Sequence, residues 1–288
     1  MYRLKGKSLN GVNFYERDGR MYGALKDYGV NTEYEMRETV LCKPVDTVMM
    51  DLDGTTLTSE EFWIYIIEET VKELLGNPKF SLEEADIPFV SGFTTFRHLE
   101  YCIGKYAQSR DLSDAVARYH RIVERELVKI ERGEGNLSAF RPTDGLKEFL
   151  LELKRRGIRI GLATSGLDYK ALPEIHAVFR TLQLGDPLKF YDAIILGGRR
   201  KGTGEYGTIG EVAAKPHPWV YTELAYVGLG IKEPSHVFGI EDSAAGVLAL
   251  RFAGFSAIGL ASGNIAKSGL DCLCHKKVEN LSEILELL

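Results

Sequence analysis

The 288-residue sequence lacks the features of several specialised protein classes. Its four cysteines are too few for the disulfide framework of a small secreted domain. The N-terminal residues contain no apolar segment resembling a secretory signal, and no apolar run is long enough to span a membrane. Basic residues are not in excess, because the net charge is -5, which argues against a nucleic-acid-binding protein. We therefore expect a cytoplasmic protein that binds neither nucleic acid nor a membrane.

One segment, Cys272–His275, contains three potential metal ligands. A zinc site of this kind needs a second pair of ligands elsewhere in the chain, and the sequence offers none. The apolar alternation of the segment predicts a short strand that carries buried thiols.

The most informative stretch runs from Val48 to Thr56, where an apolar segment ends in two carboxylates, Asp51 and Asp53. The apolar run predicts a buried parallel strand, and ligands of such sheets bind beyond the carboxyl ends of the strands. Gly54 permits the turn that follows. Two acids this close repel each other unless a cation or a shared proton compensates, and Mg²⁺ prefers hard oxygen ligands. The sequence therefore predicts a magnesium and phosphate site at this strand end.

Helix and strand patterns alternate from residue 142 onward, which predicts an α/β fold with a doubly wound parallel sheet. Before this region the sequence predicts helices over Glu60–Leu75, Thr95–Tyr106 and Ser113–Glu131, an insert typical of a cap that closes over an active site. An Asp-Gly pair within 13–22 predicts a hairpin and hence an N-terminal β-rich extension. The expected domains are an accessory extension at 1–44, a core at 45–60 and 138–288, and a helical cap at 61–137.

Polar groups also follow two later predicted strands, where they would meet Asp51 at the same edge of the sheet. Thr164 and Ser165 follow a predicted strand at 158–163, and they offer a hydroxyl and backbone amides to a phosphate oxygen. Each signal is weak alone, because a Thr-Ser pair after a strand is more often a helix cap.

A lysine and two further acids extend this pattern. Lys215 offers a positive charge at a predicted helix start, with Pro216 in the first helical position. Glu241 and Asp242 follow another predicted strand and offer carboxylates to a Mg²⁺ ion. The occurrence of all these groups, in order and each after an apolar strand, predicts a single site.

Four segments together resemble the motifs of the haloacid dehalogenase superfamily. They are DLDGTT, LATSG, the lysine of AAKPHPWVY, and GIEDSAAGV. The similarity extends from residue 45 to residue 288 and is to the branch of phosphatases and β-phosphoglucomutase-like proteins with a helical cap after the first motif. It implies a Rossmann-like core, Mg²⁺ as the cofactor and a small phosphorylated metabolite as the substrate.

The resemblance implies a role for each matching residue. Asp51 is expected to be the nucleophile that forms an aspartyl-phosphate, and Asp53 to be the acid/base. Thr164 is expected to hydrogen-bond the phosphoryl group, and Lys215 to neutralise charge. The remaining expected contacts are Asp51, Asp53, Glu241 and Asp242 for the metal, and Gly54, Thr55, Ser165, Gly166 and, in the cap, Arg97 for the substrate.

Three functions agree with this set of residues. Phosphomonoester hydrolysis is favoured, because the dehalogenase and phosphonatase branches lack an acid at the Asp53 position. A sugar-phosphate mutase keeps the same motifs, and its cap carries an arginine shortly after a turn that resembles Val90-Ser91-Gly92. Here the arginine follows this turn by too many residues, and the histidine that such mutases carry after the first motif is missing. A regulatory protein phosphorylated on Asp51, like a response-regulator receiver, would be far shorter. Cap residues within 88–97 and the basic stretch 197–214 are expected to influence substrate choice, and the protein is expected to be a monomer or a homodimer.

Overall fold

The structure is a computed structural model that describes residues 2–27, 30–90, 95–136, 138–197 and 214–288. They form two compact units, of which the first comprises Met1–Leu57 and Pro142–Leu288 and the second comprises Thr58–Arg141. Residues 91–94 and 198–213, which carry parts of the two predicted specificity segments, lie outside the described residues. None of the described helices is both long enough and apolar enough to cross a membrane.

The strands of the described residues belong to three sheets. They are β1 (Ser8–Leu9), β2 (Val12–Arg17), β3 (Arg20–Asp27), β4 (Val30–Glu35), β5 (Thr47–Asp51), β6 (Leu57–Thr58), β7 (Arg141–Pro142), β8 (Arg159–Ala163), β9 (Ala193–Ile195), β10 (Val237–Glu241), β11 (Ser256–Leu260) and β12 (Lys276–Val278).

The described α-helices alternate with the strands in the first unit and dominate the second. They are α1 (Glu60–Leu75), α2 (Ile87–Val90), α3 (Thr95–Tyr106), α4 (Leu112–Glu131), α5 (Leu146–Arg155), α6 (Asp168–Leu182), α7 (Pro187–Phe190), α8 (Trp219–Glu223), α9 (Ala244–Phe252) and α10 (Ile265–Ser268). Short 3₁₀ helices occupy Tyr2–Leu4, Glu84–Asp86, Pro234–His236, Asp271–Leu273 and Leu281–Leu287, and a π-helical turn at Leu224–Gly228 extends α8.

The central sheet of the first unit is parallel throughout, in the strand order β12-β11-β10-β5-β8-β9. From β5 the chain builds outward through β8 and β9, and it later returns to the other side of β5 and builds outward from β10. A reversal of this kind leaves a crevice beyond the carboxyl ends of the two central strands. Every residue of β5 and β10 is buried, as a strand covered on both faces requires. The predicted doubly wound α/β fold is confirmed.

The second unit contains α1 to α4, and its first helix has the predicted bounds. The buried face of α1 includes Phe62, Ile66, Thr70 and Leu74, which recur at helical spacing. The helix stops at Gly76, whose φ of 62° lies in the left-handed region that glycine adopts without a steric penalty. The bounds of α3 also match the prediction, and α4 begins at Leu112 rather than at Ser113.

The N-terminal residues form a four-stranded antiparallel sheet in the order β1-β2-β3-β4. Asp18 and Gly19 join β2 to β3 with φ values of 53° and 75°, as a hairpin turn with two positive φ angles requires, so the predicted hairpin is confirmed. The sheet packs on α9, because a Cβ atom on Gly23 would lie 2.4 Å from a ring carbon of Phe252.

The N-terminal sheet and the helices of the core share one hydrophobic cluster. Phe14 and Met21 of the sheet belong to the same set of buried side chains as Val247 of α9. The buried guanidinium of Arg251, also on α9, donates to the carbonyl oxygen of Arg37 at 2.7 Å. The extension is therefore built into the first unit by apolar packing and by a hydrogen bond from a buried guanidinium.

Three local predictions were wrong. The helix predicted to start at Lys215 begins only at Trp219, because Pro218 disfavours a helical conformation of the residue before it. The strand predicted at Cys272–His275 is absent: a 3₁₀ turn at Asp271–Leu273 leaves Cys272 exposed, and the strand follows at Lys276–Val278. The apolar spacing at the end of the sequence also predicts an α-helix over 281–288, but the structure has a 3₁₀ helix at Leu281–Leu287.

Candidate active site

The two central strands bring three carboxylates to the switch point of the sheet. Asp51 is the last residue of β5, Glu241 is the last residue of β10, and Asp242 follows directly. Each offers one oxygen such that the three oxygens lie within 4.8 Å of one another. Asp51 is 6% exposed and Glu241 is fully buried, so little water screens their charges. We call Asp51, Glu241 and Asp242 the carboxylate cluster.

Lys215 supplies the positive charge of the site. Its ammonium group donates to Oδ1 of Asp51 and, at 2.7 Å, to Oε1 of Glu241. Its side chain is only 8% exposed. Burial opposes the charged form of this lysine, but Asp51 and Glu241 outweigh burial and raise its pKa, so the lysine is an ammonium ion throughout the physiological range.

The site holds more acidic than basic side chains, and the pKa values of two of its acids are raised as a result. Burial raises the pKa of Asp51 well above its usual value, Glu241 raises it further, and Lys215 only partly opposes them. Burial and the charge of Glu241 raise the pKa of Asp242 to about 7. A divalent cation among the oxygens would reverse this repulsion, and carboxylate oxygens are suitable ligands for a hard cation such as Mg²⁺.

A glycine allows the turn after β5 to approach the carboxylate cluster closely. Gly54 has a φ of 78°, and a Cβ atom built on it would lie 2.2 Å from Oδ2 of Asp242. A larger residue would therefore meet both a strained backbone and a steric clash. The hydroxyl of Thr56 donates to the carbonyl oxygen of Asp51 at 2.5 Å and fixes the other side of the same turn.

Asp53 and Thr55 lie in this turn, beyond the end of the strand. The side chain of Asp53 is exposed and does not belong to the carboxylate cluster, although its charge raises the pKa of Asp51. Thr55 is fully buried, and within the described part of the chain its hydroxyl has no hydrogen-bond partner. The two residues of this turn therefore differ in access to a ligand.

The segment after β8 contacts the backbone of Lys215 from a second direction. Thr164 follows β8 and accepts a hydrogen bond from the backbone amide of Gly166 at 2.9 Å, which leaves its own hydroxyl hydrogen available for donation. The Ser165 hydroxyl oxygen accepts from the backbone amide of Lys215 at 3.2 Å. Ser165, predicted as a substrate contact, is thus engaged with the backbone of the lysine.

The family model of the haloacid dehalogenase-like hydrolases matches residues 45–254. The chain belongs to this family. The hydrolase is also 24% identical over 220 residues to "Putative phosphatase YhcW" of Bacillus subtilis (strain 168), a match covering 74% of this chain and 82% of that protein.

Many solved structures share the fold of the hydrolase, and two of them are from Thermotoga maritima and Rhodobacter sphaeroides. The β-phosphoglucomutase-like structure from Thermotoga maritima is 21% identical with a TM-score of 0.59, over 84% of this chain and 97% of that one. CbbY from Rhodobacter sphaeroides, in complex with phosphate, is 20% identical with a TM-score of 0.54, over 83% of this chain and 96% of that one. A point mutant of CbbY was also crystallised with xylulose-(1,5)bisphosphate.

Sequence reasoning did not identify one tyrosine of the hydrolase's site. The hydroxyl of Tyr221, on α8, donates to Oε1 of Glu241 and accepts from the ammonium of Lys215 at 3.3 Å. Burial and the charge of Glu241 raise the pKa of Tyr221 well above its usual value, so the hydroxyl keeps its proton. A tyrosine within a helical pattern carries no signal that separates this position from ordinary core.

Two charged residues of α6 lie near Asp53 and were also missed. Glu174 is 3% exposed, and burial raises its pKa well above the usual value; the charge of Asp53 adds to this effect, whereas Lys170 opposes it. Burial lowers the pKa of Lys170, and both acids oppose that shift. The only sequence signal is their spacing of four residues on a helix that follows the strand bearing Thr164.

Arg97, the predicted cap contact, lies on α3 in the second unit. Its side chain is 73% exposed, and one guanidinium nitrogen lies 3.4 Å from a carboxylate oxygen of Glu100. An exposed pair of this kind contributes little to stability, so packing of the cap does not require this arginine.

Proposed function

We propose that the hydrolase is a Mg²⁺-dependent phosphomonoesterase that acts on a small phosphorylated metabolite through an aspartyl-phosphate on Asp51. The observation that carries the proposal is the convergence of a buried ammonium, Lys215, with the carboxylate cluster at the switch point of the sheet. Phosphoryl transfer requires mainly positioning and charge neutralisation, and this set of groups supplies both. The phosphatase name of the Bacillus relative and the phosphate and sugar bisphosphate bound by CbbY support a phosphorylated sugar or similar metabolite as the substrate.

Mg²⁺ held by Asp51, Asp242, Glu241 and the backbone carbonyl of Asp53 would neutralise charge on the phosphate. In the first step an oxygen of Asp51 forms a bond to phosphorus, the bond from phosphorus to the ester oxygen breaks, and Asp53 gives that oxygen a proton. Lys215 favours the ionised form of Asp51 and compensates the charge that builds up on the phosphoryl oxygens. Thr164 donates its hydroxyl hydrogen to one of these oxygens.

In the second step Asp53 takes a proton from a water molecule as the water oxygen attacks phosphorus. The bond between phosphorus and Asp51 breaks, inorganic phosphate leaves, and both carboxyl groups return to their starting states. The exposed side chain of Asp53 gives it access to both the leaving group and water.

A panel of sugar, polyol and nucleoside monophosphates tests this proposal. Release of inorganic phosphate from a subset of these compounds, dependent on Mg²⁺ and abolished by EDTA, is the expected result. Phosphorus NMR of the same reactions detects any isomerised substrate. Isomer without release would assign the protein to the mutases, and release that persists in EDTA would contradict the metal requirement.

Mg²⁺ is expected to stabilise the protein more at pH 8 than at pH 5. The folded-state pKa values of Asp51 and Asp242 lie above their unfolded values. At a pH between the unfolded and the folded pKa values, folding is therefore accompanied by uptake of protons. Without metal, the stability that these groups contribute falls as the pH rises through this range. Mg²⁺ needs the ionised carboxylates, so protons compete with it at pH 5. At a hundredfold excess over its Kd at pH 8, the ion should add about 3 kcal/mol to the free energy of unfolding.

Thermal unfolding with Mg²⁺ or EDTA at both pH values measures this effect. Asp192→Asn is the control, because Asp192 forms an ion pair with Lys154 in the first unit and lies outside the carboxylate cluster. This variant should keep the full increase in stability on addition of Mg²⁺. Asp242→Asn should lose most of it. An increment that is equal at the two pH values would count against a metal bound by these carboxylates.

A further inference from the structure

The N-terminal sheet contacts the segment that carries Lys215. The hydroxyl of Tyr34, on β4, lies 2.7 Å from Nδ1 of His217, and the side chain of His217 is buried. The Tyr34 ring also packs on Phe252 and, edge to face, on Trp219, at centroid distances of 5.2 and 6.0 Å. The family match begins at residue 45, so this contact comes from a part of the chain that the family pattern does not include.

The segment between His217 and Lys215 is short and stiff. Pro216 and Pro218 flank His217, and each proline ring fixes its own φ and restricts the residue before it. The backbone amide of His217 donates to the carbonyl oxygen of Ala214 at 3.0 Å and closes a turn that contains Lys215. A displacement of His217 is therefore passed to Lys215 instead of being absorbed by a flexible linker.

Lys215 is thus held at both ends of its turn. On one side its backbone amide donates to Ser165, in the segment after β8. On the other side His217 is fixed by Tyr34. The ammonium group itself bonds to Asp51 and Glu241, so its position decides how well the charge of the proposed nucleophile is compensated.

We propose that Tyr34 is a positioning residue for Lys215, and that the N-terminal sheet is therefore part of the apparatus for phosphoryl transfer. The kinetic half of this inference rests on the proposed function; the structural half, that Tyr34 fixes the Lys215 turn, does not. Electrostatic stabilisation of a transition state depends on donors that are already in place, and a small displacement of such a donor has a large effect on rate.

Tyr34→Phe is the direct test, because it removes one hydroxyl and keeps the ring that packs on Phe252 and Trp219. We expect kcat to fall about tenfold while KM stays within about twofold, because Lys215 acts mainly on the charge that develops in the transition state. Tyr22→Phe is the matched control. Tyr22 lies on β3 next to Gly23, which pairs with Tyr34. Adjacent residues of a strand point to opposite faces, so Tyr22 lies on the face away from Tyr34, where it stacks on Tyr15. The Tyr22→Phe variant should therefore retain wild-type kinetics.

Hydrogen exchange of the backbone amides provides a readout that needs no substrate. Amides of 214–222 should exchange about tenfold faster in Tyr34→Phe than in the wild type, and at the wild-type rate in Tyr22→Phe. If the wild type turns over no phosphate ester, the proposed function fails and the exchange experiment alone decides the role of Tyr34. The inference stands if exchange near Lys215 accelerates in Tyr34→Phe only, with a fall in kcat wherever turnover is measurable. Any other pattern, including equal effects of the two variants, overturns it.

Discussion

Asp51→Asn should lower turnover by at least about 10⁴-fold without weakening the fold. The amide cannot form the covalent phosphoryl intermediate, so the loss should appear in kcat for every substrate. Stability should be unchanged or higher in the absence of metal, because burial and the neighbouring Glu241 already raise the pKa of Asp51. The amide removes that repulsion, and Lys215 retains its contact with Glu241 at 2.7 Å.

Phosphate release and thermal unfolding in EDTA measure the two halves of this prediction. Asp46→Asn is a matched control, because Asp46 directly precedes the same strand at its other end and is bonded to Thr47 and Arg159. The control should keep wild-type turnover. Substantial activity in Asp51→Asn would refute the covalent mechanism, and a large loss of stability would show that the charge of Asp51 supports the fold.

Lys215→Met should reduce kcat by about 10³-fold and also destabilise the protein. Methionine keeps the length of the side chain but leaves Asp51 and Glu241 without their buried cation. Removal of one partner from a buried pair costs about 3–5 kcal/mol when the remaining charge cannot be neutralised. Lys215 normally lowers the pKa of Asp51, so the variant should hold a proton on Asp51 at still higher pH. The destabilisation should therefore be greater at pH 8 than at pH 5.

Chemical denaturation at the two pH values and steady-state kinetics test this prediction. Lys154→Met is the comparison, because Lys154 forms an ion pair with Asp192 at 2.8 Å but is one-third exposed. This variant should lose less than about 1 kcal/mol and no activity, as is usual for partly exposed pairs. If both lysine variants were equally stable and equally active, the buried position of Lys215 would have no special role.

The sequence was informative wherever a local rule determines the structure. Helix α1 could be predicted to the residue, because its apolar spacing and Gly76 act within a few positions of each other. The order of strands and carboxylates along the chain also predicted that Asp51 and Asp242 would meet at one edge of a parallel sheet.

Other features depend on contacts between distant parts of the chain, and these could not be predicted. Tyr221 on α8 and Glu241 at the end of β10 are 20 positions apart, and no pattern near either residue indicates the hydrogen bond between their side chains. The contact of Tyr34 with His217 spans 183 positions. The helix start at Trp219 was missed for a different reason: Pro216 suits a first helical position, but Pro218 imposes a conflicting preference on His217.

The strand pairing of β5 has a consequence for the synthesis of this protein on the ribosome. Residues 47–50 pair with residues 237–240, and the N-terminal sheet packs on Phe252, which is synthesised much later than the sheet. At typical rates of translation, strand β5 is made on the order of ten seconds or more before β10 emerges. The helices of Thr58–Arg141 form a compact unit from one continuous stretch of chain and can pack during that interval, whereas β5, which is buried throughout in the folded protein, still lacks its partner β10. We therefore expect changes in chaperone supply or translation speed to affect first the folding of β5, the strand that carries Asp51.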